Sequence, residues 1–198
     1  MELTSEGRFI LASSSPRRIE MLRLLGLNFE VLPSSIEETV VKGESPEQHV
    51  RRLSAKKAGI IARTYPEAWV MGADTIVVIN GDFLGKPSTA GEARAMLERL
   101  SGRFHKVYTG FAVARRCANI LLSDVVVSDV LFKDIPEEEI NWYIGTDEPY
   151  DKAGGYALQG RGAFFIREIH GSYTNVIGLP LCEVVDKLKL AGAITFPG

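Results

Sequence analysis

An α/β fold built on a mixed sheet is predicted by three features of the sequence. β-Branched and apolar runs such as "WVMGADTIVVI" recur, segments with helical apolar spacing lie between them, and no internal repeat, low-complexity tract or long linker interrupts the alternation. The 198 residues suffice for one generous domain or a two-lobed single domain, and a mix of 45% apolar with 24% charged residues can bury a sizeable core.

The elements follow in order. Residues 8–12 ("RFILA") read as a short buried strand, after which Pro16 suits the first turn of a helix. Ile19, Leu22 and Leu25 give that helix its apolar face and Gly26 its stop, and residues 29–32 form a second strand ending at Pro33. Ser45-Pro46-Glu47 opens another helix, with Ser45 as N-cap and Gln48 completing a capping box. Val50, Leu53 and Ile61 share one face of it, and Lys57 falls on the same face.

Residues 69–79 read as a strand that turns back at Asn80-Gly81. A helix after Ser88-Thr89 has Ala93, Met96, Leu97 and Leu100 inside, and residues 106–114 and 120–132 pair as strands around "CAN". Pro136 and Glu137, Glu138 and Glu139 start a short helix where the dipole favours acids. "DKAGGYALQGRG" is a glycine-rich loop, 163–169 a strand, and the segment from Pro180 a helix.

Several classes are disfavoured. A formal charge of −2 lacks the basic surplus of a nucleic-acid-coating protein, although it allows a local basic pocket. No segment approaches the roughly 20 apolar residues of a membrane span, and "MELTSEGRF" is acidic before it is apolar, a poor secretory signal. Cys117 and Cys182 lie far apart without CxxC spacing, against a disulfide framework or zinc site. A cytoplasmic protein with no nucleic-acid or membrane partner is expected.

Chemistry concentrates in a few stretches. In "ILASSSPRRIEML" a strand runs through Ser13, Ser14 and Ser15 into a helix start, where backbone N–H groups, hydroxyls and the dipole favour an anion. Arg17 and Arg18 sit where that dipole disfavours cations, which suggests an external anion such as phosphate; a serine cap with solvated arginines is the plain alternative. Asp74 lies mid-strand among apolar residues with Gly72 on its own face. A buried carboxylate there is a satisfied structural acceptor, a metal ligand or a water-activating base. Glu37 and Glu38 alone read as solvated, but Glu38 facing Asp74 would make a hard oxygen site for Mg²⁺ or Mn²⁺.

Lys57 is a snorkelling lysine on the plain reading. Lys86 in "GDFLGKPST" fails as a P-loop because the spacing is short and proline follows. Lys152 precedes glycines that let N–H donors converge, a possible anion nest. His49, His105 and His170 have no metal-ligand spacing and are expected at the surface or behind the site. Jointly these residues read as a polyphosphate held by cations, with a divalent ion and a carboxylate to activate water.

"LASSSPRRIEML", "GADT", "LGKP", "YDKAGGYALQG" and "NVIGLPL", in this order and over nearly the whole chain, resemble the Maf family of nucleoside triphosphate pyrophosphatases. The resemblance implies a single domain over 1–198 with two lobes and a central cleft, related to the inosine triphosphatases. It also implies hydrolysis of a nucleoside triphosphate to monophosphate and pyrophosphate with Mg²⁺, Mn²⁺ or Co²⁺. Carried over by motif, Asp74 is the proton acceptor and Glu38 the metal-associated acid, while Ser13, Arg17, Lys57, Lys86 and Lys152 grip phosphates. Arg17, Thr75 and Gln159 match positions used for substrate choice and resemble the dTTP/UTP branch rather than the 7-methyl-GTP branch. Ser35 replaces an acid common in the family, and Ala157 a common glycine. A nucleotide-binding regulator of septum formation is the rival of another class. The oligomeric state stays open, a homodimer included.

Overall fold

In the computed structural model, which describes residues 3–196, the chain divides into two compact units. One takes the described residues up to Asp74, Thr109–Val126 and those from Gly178; the other takes Thr75–Tyr108 and Val127–Ile177. A mixed sheet flanked by helices supplies strands to both.

In the first unit, strand β1 (Thr4–Ser5) pairs antiparallel with a late strand, Ile194–Thr195, joining segments from the two ends of the chain. β2 (Phe9–Leu11) leads into α1 (Pro16–Leu24), with Pro16 in the first turn as expected. The buried face of α1 differs from the expected one. Arg18, Met21 and Leu22 are buried, whereas Ile19 and Leu25 are half-exposed, because the Arg18 guanidinium finds carbonyl partners inside. β3 (Glu30–Val31) and β4 (Trp69–Ile79) both run parallel to β2. Between them, α2 (Pro46–Thr64) carries the predicted capping box: the Ser45 hydroxyl accepts from the Gln48 N–H, and the Gln48 side chain accepts from the Ser45 N–H.

One core cluster of this unit is mostly alanine, Ala12, Ala58, Ala62, Ala68, Ala112 and Ala114 around Ile10 and Val70, while Phe9, Trp69, Met71 and Phe111 are buried elsewhere in the unit. Small side chains let α2 lie close on the strands, and two glycines let it closer still. A Cβ on Gly72 would stand 2.4 Å from the Ser54 carbonyl oxygen, and one on Gly110 would stand 2.4 Å from that of Val50. Backbone against backbone at these points leaves no room for a methyl group.

The second unit takes β4 onward from Thr75, and β4 turns at Asn80-Gly81, both at positive φ, into antiparallel β5 (Asp82–Leu84). α3 (Ala90–Leu100) is capped by Thr89 and buries Ala93, Leu97 and Leu100. β6 (Phe104–Arg115) and β7 (Ile120–Phe132) are the two long strands expected around "CAN". Strand order in the sheet is β3-β2-β4-β6-β7-β8, with β5 on β4 off that path. α4 (Glu137–Ile144) has its three acids in the first turn.

The glycine-rich segment forms three short 3₁₀ turns, Glu148–Asp151, Ala153–Gly155 and Arg161–Phe165. β8 (Ile166–His170) therefore starts later than the predicted strand at 163, since Glu148 holds the Arg161 and Gly162 N–H groups in a turn. α5 (Tyr173–Ile177) is the last element of this unit, and α6 (Leu181–Ala191) and β9 (Ile194–Thr195), in the first unit, are the last among the described residues. The core of the second unit packs Phe132, Tyr143, Tyr156 and Phe165 among Leu and Val. Among the described residues no helix is long and apolar enough to cross a membrane.

Candidate active site

Asp74 is buried at 5% exposure in the middle of β4, and an unpartnered carboxylate there would cost several kcal/mol, roughly. Its partner is Lys57. The ammonium lies 2.7 Å from Asp74 Oδ1 and 2.5 Å from Glu38 Oε1, and it also donates to the Ala73 carbonyl at 3.4 Å. Lys57 is thus no snorkelling lysine: its side chain is 9% exposed, against 49% for Glu38 and 7% for Asp74. Gly72 explains how it gets there. The strand surface beside Asp74 is bare, α2 presses onto it, and Lys57 Cβ comes within 3.0 Å of where a Gly72 Cβ would be. Glu38 and Asp74 do meet at one point, as the sequence suggested they could, with an ammonium between them.

The loop bearing Glu38 is tied to α2 through Arg52, Glu44 and His49, of which Arg52 and Glu44 belong to no motif. Arg52 donates to the Thr39 carbonyl at 3.0 Å and to both Glu44 oxygens, at 2.6 and 2.8 Å, while His49 Nδ1 lies 3.1 Å from Glu44. Hydrogen bonds from Arg52, opposed by burial and aided by His49 and the Val41 N–H, hold the Glu44 carboxyl down to about 2. His49 is 3% exposed and therefore not a surface residue. The signal available in the sequence was the acid of "GESPEQHVRR" eight residues before an arginine on the next helix.

The serine-rich helix entry splits its two arginines. Ser15 makes no side-chain cap hydrogen bond, so the plain serine-cap reading is not realised; instead Ser13 Oγ accepts from the Ser15 N–H at 3.2 Å. Arg18 turns inward, donating through Nε to the Gly178 carbonyl at 2.8 Å and through an Nη to the Ala73 carbonyl at 2.8 Å and Ser13 Oγ at 3.4 Å. Burial pushes its guanidinium below the usual value, with Asp74 opposing and Arg17 adding to the shift. The side chain expected to serve an external anion is engaged by protein acceptors on three segments. Arg17 remains half-exposed on α1.

The other predicted residues belong to the second unit. Thr75 follows Asp74 on β4 and is half-buried, while Lys86 is exposed just after β5. Lys152 Nζ pairs with the Asp151 carboxylate and donates to the Glu148 carbonyl at 3.4 Å. The anion nest expected beside it is not formed by these glycine amides: Gly154 and Gly155, both at φ 71°, give their N–H groups to the Gly85 carbonyl at 2.9 Å and the Lys152 carbonyl at 3.0 Å. Gln159 is exposed. His105 is 2% exposed, its Nε2 lies 2.8 Å from the Tyr156 hydroxyl, and burial holds its imidazole down to about 4. Of the three histidines only His170 is exposed.

Mixed sheet and flanking helices define an α/β fold. The solved structure of the Staphylococcus aureus Ham1 protein matches with a TM-score of 0.50 at 13% identity, covering 81% of this chain and 80% of that one, a likeness of fold alone. Sequence comparison goes further. The chain belongs to the Maf family, whose description, Maf-like protein, matches residues 8–191. The dTTP/UTP pyrophosphatase of Syntrophus aciditrophicus (strain SB) is 61% identical over 96% of this chain and 93% of that protein. The dTTP/UTP pyrophosphatase of Geotalea uraniireducens (strain Rf4) is 47% identical over 97% and 99%, and that of Myxococcus xanthus (strain DK1622) 48% identical over 92% of each.

Proposed function

We propose that this chain hydrolyses dTTP and UTP to the nucleoside monophosphate and pyrophosphate. The observation that carries the reading is the Asp74–Lys57–Glu38 contact, a carboxylate able to take a proton from water held against a cation able to meet phosphate. It occurs in a chain 61% identical to a dTTP/UTP pyrophosphatase.

Phosphoanhydride cleavage demands charge neutralisation and positioning more than covalent chemistry. In the proposed step the water oxygen bonds to the α-phosphorus, and the bond from that phosphorus to the bridging oxygen breaks, with its electron pair leaving on pyrophosphate. The Asp74 carboxylate accepts the water proton. Lys57 exchanges a carboxylate for a phosphate oxygen, and Ser13 and Arg17 at the α1 entry add donors. Arg18 holds Ser13 and the Ala73 carbonyl in place, and so positions Asp74 rather than touching phosphate.

Glu38 and Asp74 are hard oxygen donors that both face the Lys57 ammonium, and with Lys57 turned to phosphate these two carboxylates would hold Mg²⁺ or Mn²⁺ together with substrate oxygens. When bound, such an ion supplies neutralisation of phosphate charge. Roles for Lys86 and Lys152 on phosphate, and for Thr75 and Gln159 in choice of base, rest on their motifs. A glutamine amide both donates and accepts, as a pyrimidine edge requires.

The test is pyrophosphate release from a nucleotide panel that includes 7-methyl-GTP, with and without divalent cation. Metal-dependent release that favours dTTP and UTP supports the reading. Binding without turnover supports the regulator, and preference for 7-methyl-GTP moves the chain to the other branch.

A further inference from the structure

We propose that Glu148 is a positioning residue for base selection, fixing the backbone of residues 160–162 and through it the aim of Gln159. This rests on the dTTP/UTP reading above. Glu148 is half-buried at the start of a 3₁₀ turn, and both of its oxygens are engaged. Oε1 accepts from the Tyr143 hydroxyl and the Gly162 N–H, each at 2.9 Å, and Oε2 accepts from the Arg161 N–H at 2.8 Å. Those amides begin the 3₁₀ turn Arg161–Phe165, where N–H groups have no partner within the turn itself. A carboxylate gripping them makes charge-assisted bonds, stronger than neutral ones.

Two glycines show how closely the loop is seated. A Cβ on Gly160 would lie 2.4 Å from Glu148 Oε2, and one on Gly162 would lie 2.7 Å from the Tyr143 hydroxyl. The chain runs directly over the carboxylate and the phenol, with no space for a side chain. Burial alone would raise the Glu148 carboxyl; the Gly162 and Arg161 amides and Tyr143 hold it below the usual value. Lys152, tied to the Glu148 carbonyl, fastens the same turn from its other side.

Gln159 comes one residue before this gripped segment and is itself exposed. Its amide can discriminate a base edge only if its backbone is held to within about 0.5 Å. Nothing in Gln159 itself supplies that. Glu148 does, without contacting a nucleotide.

The experiment uses the full chain and measures kcat/KM for dTTP against dGTP, with amide hydrogen exchange of residues 160–162, in wild type, E148Q, E148A, Q159A and E148A/Q159A. E148Q keeps the shape but turns an NH₂ group toward an N–H donor, so it loses at least one bond. E148A should lower the dTTP:dGTP ratio by about tenfold, E148Q by less, both through KM more than kcat. Exchange of the 160–162 amides should rise in both. In the Q159A background E148A should change the ratio by less than about twofold, since both substitutions remove one function.

Equal loss on both nucleotides, or fully additive effects in the double variant, would overturn the proposal and leave Glu148 as plain loop support. Should E148A unfold, E148Q alone carries the test, and an unchanged ratio in it counts against the proposal. A wild-type chain that cleaves neither nucleotide overturns the dTTP/UTP reading itself. Selective wild-type turnover with a selective E148Q overturns only the role of Glu148.

Discussion

Each unit contains a carboxylate with three polar contacts around it or its partner, and the two solve the same burial problem in opposite ways. Asp74 is neutralised by a side chain, Lys57, which also serves Glu38. Glu148 is satisfied largely by backbone N–H groups and a phenol. A side-chain ion pair can be exchanged when a competing anion arrives; a carboxylate bonded to backbone cannot let go without moving the loop. The first arrangement suits a place where charge is handed over during reaction, the second a frame. Alanine and glycine let α2 lie close on β4 beside Asp74, and packed aromatic rings stand in the second unit's core.

Substitutions can break that contrast, beginning with the largest effect. Lys57→Met leaves a buried carboxylate without its cation and should cost about 3–5 kcal/mol of stability, read as a lower denaturation midpoint, with loss of turnover. An equal loss from the exposed Lys86→Met would erase the distinction between exchangeable and peripheral cations. Gly72→Ala forces a methyl group to 2.4 Å from the Ser54 oxygen. It should lower stability by about 1–3 kcal/mol and raise KM by shifting Lys57. Unchanged thermal unfolding would show that α2 can back away freely. Tyr143→Phe deletes one of the contacts to Glu148 and should cost only about 0.5–1.5 kcal/mol, leaving kcat near wild type.

Acid titration sharpens the comparison further. His105 is held by burial at about 4. The unfolded chain takes up a proton near the ordinary 6.5 that the folded chain refuses until about 4, so stability should fall across that interval and then level. His105→Phe should flatten the fall. Glu44 acts at lower pH: its bonds to Arg52 and His49 contribute fully above the ordinary 4.5 and are lost as pH drops toward about 2. Glu44→Gln should remove that acid limb and loosen the Glu38 loop. Stability profiles against pH by thermal unfolding separate the two windows.

Local signals carried much of the fold. β4 matches the predicted 69–79 run, and the Ser45 capping box and Asn80-Gly81 turn formed as their residues require. Each depends on neighbours within a few positions. What the sequence hid depends on distant partners. Which of two adjacent arginines points inward is decided by the Gly178 carbonyl, 160 residues away, and the pairing of β1 with β9 joins Thr4 to Thr195. Lys57 was visible on the apolar face of its helix, but its role turned on Gly72 giving α2 access to Asp74. Sequence spacing leaves His49 and His105 between the surface and a place behind the site, and burial against Glu44 and Tyr156 puts both inside. The delayed start of β8 has the same origin, since Glu148 captures amides that a strand would have used.

The most direct test of the Asp74–Lys57–Glu38 assignment is steady-state turnover of dTTP by Asp74→Asn, alongside its thermal unfolding. The account predicts a fall in kcat of at least about a hundredfold in a protein that still unfolds cooperatively. A folded Asp74→Asn chain with near wild-type kcat would contradict it.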